Sequence, residues 1–452
     1  MREENQFEMK SFAAGLLKIL DISDFNDMSE ALFNISISNN SEKLQSLRNY
    51  LPDLKRDYLL EVFQYYLADR EGKKQDYTPE SLSKLVASIA GSVKTVADIA
   101  AGSGALSQSV ALNNENATIY AEEIDHVAVA FLMINYQLRN KDAVIAEKDA
   151  LSKSTKKLFV LKSMQSFSHV SEELPILDDS KYDAVVSNPP YNIPYEVFDN
   201  GRYPVKLSSS NANFTFIFSG LELLNDSGRA IYILPNEVLT SSHGRSARQY
   251  LVDNDLLEAV IMMPAKMFFV TQIPVSILVL SNSKMFPGYV KFVDQREVFE
   301  KVVRKQTGEG RVNSQRVYEK EMAAVSDEMI DGITSLLNST EEFDLPGYAK
   351  TVMNDDVRLT DYMLTATRFL TEIKIEDANR KLELIIDDLI RVGKEKTRIK
   401  FTINKTSAKE LGIDDNLVDL LNQSAKTSDL INQNNKSFGL PEIPNADKKW
   451  SR

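Results

Sequence analysis

The run V-A-D-I-A-A-G-S-G-A-L-S, residues 96 to 107, decides how the rest of the chain is read. A short apolar strand passes into Gly102-Ser103-Gly104 and then into a helix. That order lets backbone approach a ligand at the carboxyl edge of a sheet, with helix N–H groups facing it. Glu123 ends the next strand, A-T-I-Y-A-E-E-I, at about the 20-residue distance where an acidic side chain meets ribose hydroxyls. The pair specifies a nucleoside-containing cofactor. Nicotinamide enzymes share the layout, but Ser107 stands where their third glycine would be. The competing reading is a turn that needs glycine only for positive φ.

Working outward, the chain alternates strands with helices. T-V-A-D-I-A, A-T-I-Y-A-E-E-I, A-V-I-A-E, Y-D-A-V-V-S, R-A-I-Y-I-L, L-E-A-V-I-M-M and V-S-I-L-V-L-S read as strands, with amphipathic helices between most of them. Continuous apolar strands joined by helices predict an α/β fold, a mostly parallel sheet covered on both faces. Segments 257–263 and 275–281 are joined by a loop alone and predict an antiparallel end to it. Residues 152–181 carry little pattern, and beyond about 285 the pattern weakens again. Residues 1 to 75 read as helical, and 370 to 392 as one long amphipathic helix before a loose tail. The expected division is a helical domain at 1–75, the α/β domain at 76–285, a mixed extension at 286–350 and a helical region at 351–452. Before the first strand, Thr78 is suited to a helix N-cap and Pro79 to the first helical position.

Composition narrows the class. With 452 residues, 43% hydrophobic and 26% charged, the chain has an ordinary globular balance. No apolar run approaches the roughly 20 residues of a membrane span, and the charged start does not resemble a secretory signal. There is no cysteine and there are three scattered histidines, so neither a disulfide framework nor a metal site is expected. A cytoplasmic location is expected. A net charge of −12 argues against coating nucleic acid unaided, because phosphate affinity comes largely from Lys and Arg. The most basic stretch, residues 296 to 316, reads better as a solvated helical face with interleaved acids.

Two further strand ends carry chemistry. Asp149, in E-K-D-A-L, follows the third strand, where a carboxylate can accept from an adenine amino group; taken singly, such an Asp is a common turn former. The fourth strand ends in S-N-P-P-Y-N-I-P-Y, residues 187 to 195. The lone pair of an exocyclic amine is delocalised into its ring, and it becomes nucleophilic only when the nitrogen is drawn toward tetrahedral geometry. Two fixed acceptors can do that: the side-chain oxygen of Asn188 and a main-chain carbonyl, with that of Pro189 the candidate. Pro189 and Pro190 lock their own φ, remove competing N–H donors and extend the residue before them. Tyr191 offers a flat face for a base to stack on. Orientation and fixed polarity do the work, and no general base of high pKa is required. A plain proline-bearing loop would not need Asn and an aromatic at these positions.

In order, Y-T-P, D-I-A-A-G-S-G, A-E-E-I-D, K-D-A-L and N-P-P-Y resemble the S-adenosylmethionine-dependent amino-methyltransferases, in the gamma arrangement of adenine-N6 DNA methylases. I-L-P-N-E-V-L at 233–239 and M-P-A-K-M-F-F-V-T-Q-I-P-V-S-I-L-V-L at 263–280 are similar to the modification subunit of type I restriction–modification systems. The resemblance covers roughly residues 74 to 282. It implies a class I, Rossmann-like fold with a seven-stranded sheet, and methyl transfer to N6 of an adenine rotated out of double-stranded DNA. It implies that Gln75, Tyr77, Thr78 and Pro79 wall the methionine end of the cofactor. Asp98, Ala100 and Gly102, Ser103 and Gly104 would pass beneath it, with Glu123 on the ribose, Asp149 on the adenine and Asn188 at the reacting end. Phe268, with Phe269 as rival, would close the target base opposite Tyr191; core aromatics at the start of a hairpin are the equal alternative. Lys74 and Asp76 stand where the family usually has glycine and an aromatic, and Ser103 and Ala101 replace a common Thr and Cys. The acidic chain, with no large base-reading segment visible after Ser281, leads to the expectation of a separate DNA-specificity subunit, and a restriction subunit can accompany it. The helix at 370–392 is a candidate dock for that subunit and equally a helix packed on its own domain. Release-factor glutamine or ribosomal guanine N2 methylation, and a non-catalytic scaffold, are the other readings.

Overall fold

The computed structural model describes residues 9–54, 58–62, 78–174, 180–195, 205–268, 273–309 and 315–370. Gln75, Tyr77 and Phe269 lie outside these residues, as does the expected helix and tail beyond Leu370.

Four helices come first: α1 (Met9–Leu20), α2 (Met28–Ile37), α3 (Ser41–Tyr50) and the short α4 (Tyr58–Val62). Asn40 caps α3 by accepting from the N–H of Lys43 at 3.1 Å. The alternating region then runs α5 (Glu80–Ala90), β1 (Thr95–Ile99), α6 (Ala105–Asn113), β2 (Thr118–Glu123), α7 (His126–Leu138) and β3 (Ala143–Lys148). Next come β4 (Thr155–Lys162), β5 (His169–Glu173), β6 (Tyr182–Ser187), α8 (Asn213–Leu221), β7 (Leu224–Pro235), α9 (Arg245–Asp253), β8 (Leu257–Met262) and β9 (Val275–Ser281). The remainder holds β10 (Tyr289–Asp294), β11 (Glu300–Glu309), β12 (Gln315–Ala324), α10 (Asp327–Asn338), β13 (Asp344–Leu345), β14 (Ala349–Met353) and α11 (Asn354–Leu359).

Among the described residues twelve of these strands form one sheet, in the order β13-β14-β10-β8-β9-β7-β6-β1-β2-β3-β4-β5. Seven of them, β3-β2-β1-β6-β7-β9-β8, are the seven expected from the sequence. The expected count is corrected, because both edges are extended. On one side β4 and β5 add antiparallel strands; on the other β10 pairs parallel with β8, and β14 and β13 follow antiparallel. The antiparallel strand is also not at the end: β9 lies between β7 and β8 and runs against both.

Period-2 alternation sends successive side chains to opposite faces. Val96, Ile119 and Ile145 join α5, α6, part of α7 and α10 in one buried cluster. Ala97, Ile99 and Tyr120 join α8 and α9 in the other. The N-terminal helices do not stand apart. Leu16, Leu32 and Leu47 share a third cluster with Ala128, Phe131, Ile134 and Leu138 of α7. Asn39 ties the same region to β5, donating to Val170 O at 2.9 Å and accepting its N–H at 2.7 Å.

Three further expectations are corrected. The unpatterned stretch 152–181 contains β4 and β5; T-K-K-L-F-V-L-K alternates weakly because in β4 only Phe159 and Leu161 are fully buried. The basic stretch from 296 is not a helix: its described residues enter β11 and β12, an antiparallel pair in register from Glu300↔Ala324 to Glu309↔Gln315. The region after Ser281 is accordingly rich in strands. Among the described residues no helix is long and apolar enough to cross a membrane.

Candidate active site

The strand order reverses beside β1, which has β2 on one side and β6 on the other, and this is where α/β sheets open a crevice at their carboxyl ends. A cleft of about 260 Å³ sits there. Of the residues expected from the sequence, Thr78, Asp98, Ala100, Gly102, Glu123, Asp149, Asn188, Pro189, Pro190 and Tyr191 line it. The glycine turn and the N-P-P-Y turn, 84 positions apart by number (188 − 104), face one space.

The glycine turn is shaped by backbone. Ala100, Gly102 and Gly104 all have left-handed φ, at 55°, 59° and 91°. The glycine-for-geometry reading is therefore true, and it does not compete with a binding role. Gly104 starts α6, and a Cβ there would lie 2.5 Å from Leu132 Cδ1 and 3.0 Å from the Tyr136 hydroxyl. Ala100 is the costly member, since a residue with a Cβ loses roughly 1–2 kcal/mol in this region. Ser103 is buried, and among the described residues its hydroxyl has no hydrogen-bond partner. Ser103 and Gly104 shape the turn without lining the cleft.

Four carboxylates line this half, Asp98, Glu123, Asp125 and Asp149. Glu123 accepts the N–H of Gly102 at 2.7 Å through Oε2 and that of Asp125 at 2.8 Å through Oε1. Burial pushes its pKa up, against the pull of those N–H groups. Each oxygen keeps a second lone pair for a ligand hydroxyl. Asp98 is buried at the end of β1, where burial raises its pKa to about 7 although the N–H and hydroxyl of Ser107 bond it at 3.1 and 2.5 Å. The charge of Glu123 adds to that rise. The Ser107 hydroxyl in turn meets the Tyr136 hydroxyl at 2.5 Å, so the position that replaces a third glycine has a polar task. Asp149 accepts the N–H of Leu151 at 3.0 Å through Oδ1, the turn-forming role, while also lining the cleft.

The donor set fits a nucleoside. Carboxylates stand at the ends of β2 and β3, Ala100 and Ala101 keep the floor low, and Ile124, Leu151 and Phe216 supply apolar walls. Those three, with Ile193, were not anticipated from the sequence. Phe216 comes from the middle of α8, and no linear signal marks it. Lys148 also lines the cleft and pairs with buried Glu122 at 2.5 Å.

The N-P-P-Y turn is held from both flanks. On the leading side the Ser187 hydroxyl donates to Ile99 O at 2.6 Å. Asn188 lines the cleft, and its Nδ2 donates to Thr78 Oγ1 at 2.9 Å. Thr78 is thus not the N-cap of α5; Pro79 takes that position and the Thr78 side chain serves the site. Asn188 Oδ1 accepts the Tyr191 hydroxyl at 2.6 Å. Phe268 does not line the cleft: it is 1% exposed, in the core, and meets Tyr191 edge-on with centroids 6.4 Å apart and planes at 88°. A base between two parallel rings needs about 7 Å. The core alternative describes Phe268 in this conformation.

Residues 55–378 match the N-6 DNA Methylase family. The MpnII type I restriction enzyme methylase subunit of Mycoplasma pneumoniae is 26% identical over 410 residues, 80% of this chain and 68% of that protein. The MjaIX type I methylase subunit of Methanocaldococcus jannaschii is 24% identical over 71% of this chain, which spans 57% of that relative's length. The solved type I restriction–modification methyltransferase subunit of Streptococcus thermophilus superposes with a TM-score of 0.55 at 20% identity, over 82% of this chain and 78% of that one, so the fold is shared. The matched span covers both turns and the whole sheet, and the chain belongs to the N-6 DNA methylase family.

Proposed function

We propose that this protein is the modification subunit of a type I-like restriction–modification system. It transfers a methyl group from S-adenosylmethionine to N6 of an adenine flipped out of double-stranded DNA, and a separate specificity subunit supplies the recognition sequence. The observation that supports this reading is that Asn188 lines the same cleft as Glu123 and Asp149, with its amide held by Thr78.

When bound, the cofactor supplies a methyl group on a sulfonium, an electrophilic carbon. Glu123 would hold its ribose and Asp149 its adenine. Gly102 gives it a close floor, and Asp98, Ala100 and Thr78 line the same cleft, with Pro79 beside them at the N-cap of α5. On the substrate side Thr78 fixes the Asn188 amide so that Oδ1 faces the incoming amine. Asn188 Oδ1 and the Pro189 carbonyl take one amino hydrogen each, and the nitrogen lone pair is released from the ring. The methylated nitrogen then loses a proton to solvent without a dedicated base. The Tyr191 hydroxyl holds one lone pair of Asn188 Oδ1 before the amine arrives and leaves the other to accept an amino hydrogen; when the base enters, the hydroxyl moves aside as the Tyr191 ring becomes its stacking face. Phe268 can form the opposite face only if the edge-on contact opens.

The chain's net charge of −12 supports dependence on a partner for phosphate contacts. Its relatives carry the names of type I methylase subunits, in agreement with that dependence. Tritiated S-adenosylmethionine supplied with unmethylated plasmid DNA and the specificity subunit labels adenine N6. Asn188→Ala loses roughly 100-fold or more of the rate while cofactor binding survives. Label in protein or RNA, or vigorous site-specific activity of the chain alone, contradicts the proposal.

A further inference from the structure

The trailing side of the N-P-P-Y turn is held by three asparagines to which nothing above assigns a role. Asn192 adopts a left-handed φ of 53°, a conformation Asn tolerates better than most residues. Its N–H donates to Asn213 Oδ1 at 3.1 Å. Its Oδ1 accepts two hydrogen bonds, from Asn211 Nδ2 at 2.9 Å and Asn213 Nδ2 at 2.8 Å. Asn213 N–H closes the set by donating to Asn211 Oδ1 at 2.9 Å. Asn211 and Asn213 are buried, at 7% and 1% exposed. Two backbone bonds continue the clamp, Ala212 N–H to Ile193 O at 2.9 Å and Tyr195 N–H to Ser209 O at 2.8 Å.

Buried amide groups are costly unless bonded, so a satisfied cluster of this kind defines one geometry sharply. Asn213 is the first residue of α8, and Phe216, three positions on and on the same helical face, lines the cleft. One helix therefore carries both a wall of the cleft and the anchor of the turn. The leading side of the turn is fixed by β1 and Thr78, and the trailing side by α8 through this cluster.

We infer that Asn192, Asn211 and Asn213 are positioning residues for methyl transfer: they pin the exit of the N-P-P-Y turn to α8 and so set the aim of Asn188 and Tyr191. The inference rests on the proposed reaction for its kinetic consequence, though not for the geometry. A misplacement of about 1 Å at reacting groups can cost 100-fold in rate.

The test uses the full chain assembled with its specificity subunit. Asn192→Gly keeps the left-handed backbone available and removes the side-chain amide, whose Oδ1 accepts from Asn211 and Asn213. Asn213→Asp keeps the acceptor for the Asn192 N–H but sets an oxygen against Asn192 Oδ1. Both variants are expected to lower kcat by roughly 10- to 100-fold, with S-adenosylmethionine affinity held within about 2-fold and the KM for plasmid DNA little changed. Hydrogen exchange of residues 188–195 is expected to quicken by roughly 10-fold in Asn192→Gly while β6 is unchanged. That readout is independent of turnover. If the parent assembly does not methylate DNA, the proposed function fails and the exchange measurement still decides this inference. Exchange in Asn192→Gly equal to the parent overturns it, as does a kcat loss that merely follows a lowered thermal midpoint. Should Asn213→Asp fail to fold, Asn192→Gly carries both readouts.

Discussion

The two turns that meet at the cleft are built by opposite means. The cofactor-side turn takes its shape from backbone: three left-handed residues within five positions, with Glu123 and Asp98 bonded to main-chain N–H groups around it. The substrate-side turn takes its shape from side chains: Asn188 on Thr78, Tyr191 on Asn188, and the asparagine cluster behind them. A backbone-defined turn is rigid and indifferent to small side-chain changes, provided no Cβ is forced into it. A turn defined by side-chain bonds can rearrange one bond at a time, which suits the proposed site, where an acceptor bonded by a tyrosine hydroxyl would take a substrate hydrogen.

The contrast predicts different failures on the two sides. The largest effect is expected at Gly104→Ala, where positive φ and a 2.5 Å approach to Leu132 combine. A loss of about 3 kcal/mol in chemical denaturation is expected; a loss under about 1 kcal/mol would mean the turn is softer than described. Next is Glu123→Gln, which removes a charged acceptor. S-adenosylmethionine binding by calorimetry should weaken roughly 10- to 100-fold, with the rate at saturation far less affected. If the rate falls and affinity holds, the division between the two turns is wrong.

Asp98 gives a pH signature confined to the cofactor side. Its folded pKa of about 7 lies above the ordinary carboxylate value, so the folded chain binds a proton that the unfolded chain has released. Its contribution to stability is fully present below the unfolded pKa of about 4 and is lost as pH rises through about 7. Asp98→Asn should gain relative to the parent between pH 5 and pH 8 in denaturation experiments; parallel pH profiles would remove Asp98 as the cause. The smallest effect is expected at Tyr191→Phe. The ring is retained and the hydroxyl on Asn188 is gone, so the KM for DNA should stay level or fall by a few-fold, whereas Tyr191→Ala should lose most activity. A large loss in Tyr191→Phe would give the hydroxyl a role beyond holding the acceptor.

Much of this was legible in the sequence, for identifiable reasons. Strands β1, β2 and β6 are short apolar runs that end at residues with a chemical task, and a run buried on both faces needs no neighbour to be recognised. The strand β4 hides because only Phe159 and Leu161 of its residues are fully buried, so Lys156, Lys157 and Lys162 break the apolar run. Residues 296–316 read as a helix because interleaved Lys, Arg and Glu carry no period that separates a helix from a hairpin. Thr78 looked like a cap because a hydroxyl before Pro is a capping pattern, yet its partner lies 110 positions away in sequence. Ile124, Leu151 and Phe216 reach the cleft through topology, and the asparagine cluster joins a loop to a helix start some 20 positions on; neither leaves a local pattern.

The central claim is that Asn188 receives the target amine. The structure of the chain assembled with its specificity subunit, a non-reactive cofactor analogue and cognate DNA tests it most directly. The account predicts the extruded adenine N6 about 2.8–3.1 Å from Asn188 Oδ1, with the Tyr191 hydroxyl displaced. An adenine seated elsewhere, with the Tyr191 hydroxyl still on Asn188, would contradict it.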